Sequence, residues 1–294
     1  MNRLKTFVLL AGLTALAVGM GWLIGGVNGM FVAFGVAALM NLAGFWWSDR
    51  LVLAMYRAQE VDAEHAPGLH ALVADVAAKA GVPMPRVYII PEDSPNAFAT
   101  GRSPARSAVA VTEGLLRILN RDELKAVIAH EAAHIAHRDT LIGVLSATLA
   151  GGISMLANML LWTTTFGGRS EDEDSSPLSG VLGLVAILVA PFAAMLVQMA
   201  VSRSREYMAD EAAARIMGDG RPLAGALAKL ARGAEIIPHS QRTEPATAHL
   251  FIVNPLSGGG LTALFSTHPP MEERIRRMLE WRPKDQYTRV PVTA

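Results

Sequence analysis

The chain has 294 residues, 51% of them hydrophobic and only 18% charged, with a positive mean hydropathy. That balance is too apolar for an ordinary soluble domain and points to membrane segments. The formal net charge is zero, so a nucleic-acid partner has no electrostatic support. No cysteine is present, which excludes disulfides, thiolate metal sites and a cysteine nucleophile, and leaves His, Asp and Glu as the available metal ligands.

In chain order, Thr6 to Ile24 and Met30 to Trp47 are uncharged apolar runs separated by a short glycine-rich turn. Leu141 to Trp162 and Val181 to Val201 form a second pair. Each is about long enough to cross ~30 Å of hydrocarbon as a helix. Phe45, Trp46, Trp47 and Trp162 suit interfacial belts, and Pro191 is expected to kink the fourth run. A cleaved signal peptide would account for Arg3, Lys5 and Ala15-Leu16-Ala17, but the apolar stretch continues to Ile24, which favours an uncleaved anchor. The third run carries Ser146, Thr148, Ser154 and Asn158, so a buried helix of a soluble fold stays open for it.

Charges orient the runs. Arg3, Lys5, Arg50, Arg57, Arg138, Arg203 and Arg205 flank their outer ends, whereas Glu171, Asp172, Glu173 and Asp174 sit between the third and fourth. By the positive-inside rule both termini and the segment from Asp49 to Asp139 are cytoplasmic, and the acidic hairpin tip lies outside. The expected organisation is a transmembrane helical pair over 1–48 and a cytoplasmic part over 49–140. A second transmembrane pair over 141–201 and a second cytoplasmic part over 202–294 follow.

Within the first cytoplasmic part, Pro67 to Lys79 reads as an amphipathic helix opened by proline and closed at Gly81-Val-Pro. Arg86-Val-Tyr-Ile-Ile and Ala108-Val-Ala-Val-Thr are short β-rich runs, with Asn96 to Gly101 between them. Helices are expected from Glu113 and from Arg121, and in the second part over Asp210 to Met217, Pro222 to Arg232 and Pro270 to Trp281. The expected fold class is mainly α, a multi-pass protein of four transmembrane helices with a cytoplasmic zincin-like α+β domain and a small β-sheet.

The segment that carries chemistry is His130-Glu131-Ala132-Ala133-His134. On a helix, positions four apart lie about 40° from each other, so both imidazoles leave one face and can hold one tetrahedral zinc. Glu131 sits about 100° round the helix, where it can reach water at the metal. His137 shares the stripe, but three-histidine zinc proteases place their last ligand about six residues after the second, and that position is Thr140. His137 is therefore a surface or supporting histidine, and the third ligand must come from elsewhere. After the fourth run the chain reads Ser202-Arg-Ser-Arg-Glu206-Tyr-Met-Ala-Asp210. Glu206 and Asp210 share a helical face. If the third and fourth runs form a membrane hairpin, Glu206 returns to the histidines as a candidate ligand, and Asp210 can fix a histidine tautomer. Pairing of these carboxylates with Arg203 is the structural alternative.

With these motifs in order, the chain resembles the HtpX-type membrane zinc endopeptidases, gluzincins related to the CAAX prenyl-protein endopeptidases. The resemblance covers nearly the whole chain and includes His249-Leu-Phe-Ile-Val-Asn-Pro and Ser266-Thr-His268-Pro-Pro-Met-Glu-Glu-Arg274. It implies one Zn2+ per chain on His130, His134 and Glu206, with Glu131 as general base and Asp210 supporting a ligand histidine. It also implies His268 and Arg274 as donors to the oxyanion, and the strand at Asn96, Ala97 and Phe98 as a holder of extended substrate. By resemblance, the protein is an enzyme of a bacterial inner membrane that faces the cytoplasm, hydrolyses damaged membrane proteins and serves stress response. Its partners would be membrane-protein or peptide substrates and the bilayer. A non-catalytic scaffold or holdase with structural zinc, and a maturation protease for one substrate, are the competing expectations.

Overall fold

A computed structural model describes residues 2–140, 203–236, 252 and 269–283. The expected second membrane pair, most of the His249 segment and His268 lie outside the described residues.

Helix α1 spans Asn2–Met55 and is broken at Gly25 and Gly26. Gly26 has φ 58° and ψ −143°, a region open in practice only to glycine. The break turns the chain back on itself. Asn41 Nδ2 donates to Thr14 Oγ1 at 2.9 Å across the hairpin, and a Cβ on Gly21 would collide with the Gly29 carbonyl and Ala33. Small residues thus let the two halves touch backbone to backbone. Gly25–Trp47 is long and apolar enough to cross a membrane, with 6% of its most apolar window buried in the protein. Trp22, Phe31, Val32, Phe34, Leu39 and Leu42 all point outward. A core helix of that composition would hide these side chains, so the exposure suits lipid.

Beyond α1 lies a four-stranded mixed sheet ordered β1-β2-β4-β3, from β1 (Gln59–Val61), β2 (Arg86–Ile90), β3 (Ala97–Gly101) and β4 (Ser107–Thr112). Strand β1 pairs antiparallel to β2, β2 parallel to β4, and β4 antiparallel to β3. The two runs read from the sequence as β-rich are β2 and β4. Strand β1 was not expected: Gln-Glu-Val is too short and polar to show alternation.

Side chains alternate between two cores, as a pleated strand requires. Val109 and Val111 of β4 join Leu69, Leu72, Val73 and Val76 of α2 (Pro67–Ala80) and the apolar face of α4 (Arg121–His137). Ala108 and Ala110 face the other way, packing with Tyr88, Ile90 and Phe98 against Val52 and Leu53 at the end of α1. The candidate membrane hairpin is therefore fastened to the back of the sheet, with the helices of the first core on the front.

The short α3 (Glu113–Ile118) leads into α4, which starts on a reciprocal cap. Asn120 accepts from the Glu123 N–H while the Glu123 carboxylate accepts from the Asn120 N–H, both at 2.9 Å. Lys229 reaches the same carboxylate at 2.7 Å from α6 (Arg221–Ile236), pinning α6 to the foot of α4. Helix α5 (Arg203–Met217) lies along α4, and α7 (Met271–Glu280) packs on α5 and α6. Helix α5 is already helical at Arg203, ahead of the pattern expected from Asp210, so Glu206 lies on it and shares a face with Asp210. Arginines among these residues interrupt the apolar period there.

Candidate metal centre

Helix α4 supplies two histidines. It is buried along its middle, and His130 and Glu131 are themselves buried, a costly arrangement for polar groups without partners. Arg138 ends the helix in the left-handed conformation, φ 59°, and the chain then turns so that the Asp139 N–H bonds the His134 carbonyl at 2.9 Å. Helix α5 brings Glu206 against the histidine face. The Nε2 atoms of His130 and His134 lie 3.2 Å apart, and the Glu206 carboxylate lies 3.6 Å from the first and 3.5 Å from the second. Among the described residues, these three offer metal-ligating atoms that all lie within 4.8 Å of one another.

The arrangement fits zinc on two counts. Tetrahedral zinc with bonds of about 2.0–2.1 Å separates two nitrogen ligands by about 3.3 Å, close to the Nε2 separation. The pocket also draws positive charge. Burial pushes the His130 imidazole towards its neutral form, yet Asp210 and Glu206 outweigh burial and lift its pKa to about 10. Two carboxylates converging on the buried His130 imidazole suit a cation held among the same donors.

A second layer of side chains holds these donors. The His130 Nδ1 lies 2.9 Å from Asp210 Oδ1, although the approach is off the N–H axis and leaves that hydrogen poorly directed. Arg274 from α7 clamps Asp210 from behind, with Nε and Nη2 donating to the two carboxylate oxygens at 2.8 and 2.7 Å. Its Nη1 lies 3.6 Å from Glu206 and 3.4 Å from the Ile252 carbonyl. Burial alone would raise the Asp210 pKa, but Arg274 and His130 hold it down at about 2. Arg274 has no exposed surface. The structure brings it to the centre but behind the ligands, with its donors turned to Asp210.

The other histidine has a partner that the sequence reading did not name. His134 Nδ1 lies 3.4 Å from Asp139 Oδ2, whose other oxygen is 3.5 Å from Arg205. Each candidate ligand histidine thus has its own carboxylate and each carboxylate its own arginine. Periodicity could not find Asp139, because it sits past the left-handed end of α4. The available signal was a charged residue at the mouth of an apolar run, where ionisable groups are expensive unless they have a job. Replacing Asp139 with asparagine should weaken zinc binding roughly 10- to 100-fold, the usual cost of losing a carboxylate behind a ligand histidine. Competition with a chelating dye reads this directly, and unchanged affinity would remove Asp139 from the site. His137 is exposed at the helix end, as its position past the ligands suggested.

Glu131 points to the sheet. Its Oε2 accepts the Ala99 N–H at 2.7 Å. Burial pushes its carboxyl above the ordinary range, and the two imidazoles draw it partly back. Ala99 lies on β3, an edge strand. The Thr112 N–H bonds the Asn96 carbonyl at 2.9 Å, so by alternation Ala97, Ala99 and Gly101 turn their backbone groups away from β4. Thr140, where a three-histidine site would carry its last ligand, caps this edge by donating to the Gly101 carbonyl at 2.9 Å.

The three strand residues expected to hold substrate therefore differ. Ala97 is on the open side. Phe98 is turned to β4 with its ring in the rear core. Asn96 shapes the turn: its N–H donates to Thr112 Oγ1 at 2.8 Å, and its Oδ1 accepts the Ile252 N–H at 3.2 Å.

A helix pair carrying two histidines and a glutamate, beside a buried glutamate and an edge strand, describes a metallopeptidase centre. Residues 63–282 match the model of peptidase family M48. The chain belongs to that family. It is 53% identical over 280 residues to a "Protease HtpX homolog" of Syntrophobacter fumaroxidans, covering 94% of this chain and 98% of that one. It is 51% identical to the homolog of Methylibium petroleiphilum, covering 96% and 99%, and 52% identical to that of Pyrococcus abyssi, covering 94% of each. The crystal structure of Ste24p from S. mikatae superposes with a TM-score of 0.51 at 17% identity. That likeness of fold takes in 96% of this chain but only 63% of the longer Ste24p chain. The protein is a metalloprotease of this family, it carries a helix long and apolar enough to cross a membrane, and the family resemblance read from its sequence holds.

Proposed function

We propose that the protein is a zinc endopeptidase with four membrane spans that cleaves damaged or misfolded membrane proteins at the cytoplasmic face of a bacterial inner membrane, in membrane quality control and stress response. The convergence of His130, His134 and Glu206 carries the proposal. Zinc held by these residues would supply Lewis acidity, polarising the scissile carbonyl and acidifying a water. Glu131 takes the proton of that water as it attacks and delivers it to the leaving amine. With Oε2 held by the Ala99 N–H, the other oxygen of Glu131 is left to accept that proton, and β3 offers its open edge to the substrate backbone. Backbone pairing at an edge binds extended peptide with little demand on its sequence, which suits unfolded substrates of many kinds. Arg274, engaged with Asp210, serves to fix the His130 carboxylate partner, while His268 stays the candidate oxyanion donor.

The cytoplasmic orientation and the second membrane pair rest on the placement of basic residues at the outer ends of the apolar runs. The test is cleavage of a denatured model membrane protein by the purified, reconstituted chain. Chelation should abolish cleavage and added zinc restore it. Chelator-resistant cleavage would contradict a metal-dependent reaction, and lipid-dependent binding of the unfolded protein without cleavage would favour a holdase.

A further inference from the structure

Where α1 leaves the candidate span it enters a basic cavity. The apolar span ends at Trp47, and Trp46, Asp49 and Arg50 of α1 line a cavity of about 230 Å³ together with Arg86, Arg102 and Arg106 from the sheet side. Four arginines therefore face one aspartate. Arg86 is already engaged, 3.4 Å from Asp49, and donating to the Tyr88 hydroxyl at 2.8 Å. Arg50, Arg102 and Arg106 have no carboxylate partner among the described residues. The Arg102 guanidinium lies 4.1 Å from the centre of the Trp46 ring, a stack that fixes its plane and leaves its N–H edge available.

The location selects the ligand. Tryptophans at the end of an apolar helix sit at headgroup level, and the cavity lies at that same level. Unpaired guanidiniums in a fixed concavity favour phosphate oxygens, which they meet through paired N–H groups. The cytoplasmic leaflet is where anionic lipids concentrate basic groups. We propose that this cavity binds the phosphate of one anionic phospholipid, at the seam between the membrane hairpin and the sheet. Arg102 directly follows Gly101, the last residue of β3, so the bound headgroup also braces the strand whose Ala99 N–H meets Glu131. The lipid would tie the catalytic sheet to the membrane surface at a fixed height.

The inference rests on α1 lying in a bilayer, but not on zinc or peptide hydrolysis. Native mass spectrometry of the full chain in neutral detergent, with phosphatidylglycerol or phosphatidylcholine added, tests it. One phosphatidylglycerol should be retained per chain in preference to phosphatidylcholine. Arg102→Gln with Arg106→Gln should weaken that retention roughly thirtyfold, as expected for two cations near a membrane surface. Arg106→Gln alone, at an exposed side chain, should weaken it about fivefold, so the result does not depend on the stacked Arg102. The distant pair Arg215→Gln and Arg221→Gln should bind as wild type. Glu131→Gln should also bind lipid normally, which separates this site from the peptidase reading. Equal retention of the two lipids would overturn the proposal, as would equal loss in the distant pair. Displacement of the lipid by millimolar inorganic phosphate would do so too, by making this a soluble-anion site.

Discussion

Glu131→Gln should bind zinc like wild type and cleave at least about a hundredfold more slowly, within the 10²- to 10⁴-fold range of a general base. The amide keeps the shape of the carboxylate and can still accept the Ala99 N–H that now meets Oε2 at 2.7 Å. Fold and edge strand should survive; only the ability to take a proton is lost. The loss should appear in kcat, because the base acts on the reacting water rather than on bound substrate. Elemental analysis and single-turnover cleavage on the same preparation make the check. Cleavage at the wild-type rate with zinc present would remove Glu131 as the base.

Glu206→Gln should lose zinc. The carboxylate sits 3.5–3.6 Å from both imidazoles, and a neutral amide is a far poorer ligand for zinc than an ionised carboxylate. The drop should exceed the roughly 10- to 100-fold cost of removing a supporting partner. Conservative substitution matters, because Arg274 Nη1 lies 3.6 Å from the same carboxylate in a buried setting, and a cavity there would leave that charge less well compensated. Arg274 keeps both bonds to Asp210, so the variant should fold. Full zinc occupancy in folded Glu206→Gln would take Glu206 out of the ligand set.

These two residues differ in how far the sequence announced them. Glu131 is inside a local motif: the period of one helix places it, and nothing distant is needed. Glu206 follows His134 by seventy-two residues, and its place depends on two helices lying side by side. A chain that leaves the site in an apolar run and returns from another made that pairing readable. The same logic suggested Asp210 behind His130. It could not place Arg274, which only the resemblance brought to the site, because a helix starting at residue 271 shows its amphipathic period and not what its inner face meets. The full burial of Arg274 is decided by Asp210, a contact across 64 residues.

Asp139 was missed for a different reason. It follows a left-handed residue, where helical projection no longer applies, and its meaning comes from the direction the chain takes afterwards. In the sheet, β2 and β4 were legible from β-branched residues, whereas β1 is formed by pairing alone. The edge at β3 was foreseen as a segment, but which residues face outward is a matter of register. A one-residue shift would exchange Ala97 and Ala99 for Phe98. The break of α1 at Gly25 and Gly26 and the apolar stretch to Trp47 were legible because length and hydropathy are local properties, whereas the continuation of the helix to Met55, beyond that stretch, was not.

Zinc-edge anomalous diffraction from crystals of the protein grown with the metal tests the centre most directly. One peak per chain is expected, between the Nε2 atoms of His130 and His134 and the carboxylate of Glu206, with Glu131 outside bonding range of the metal. A peak coordinated by other residues, or by the histidines with Glu131 in place of Glu206, would contradict the proposed centre.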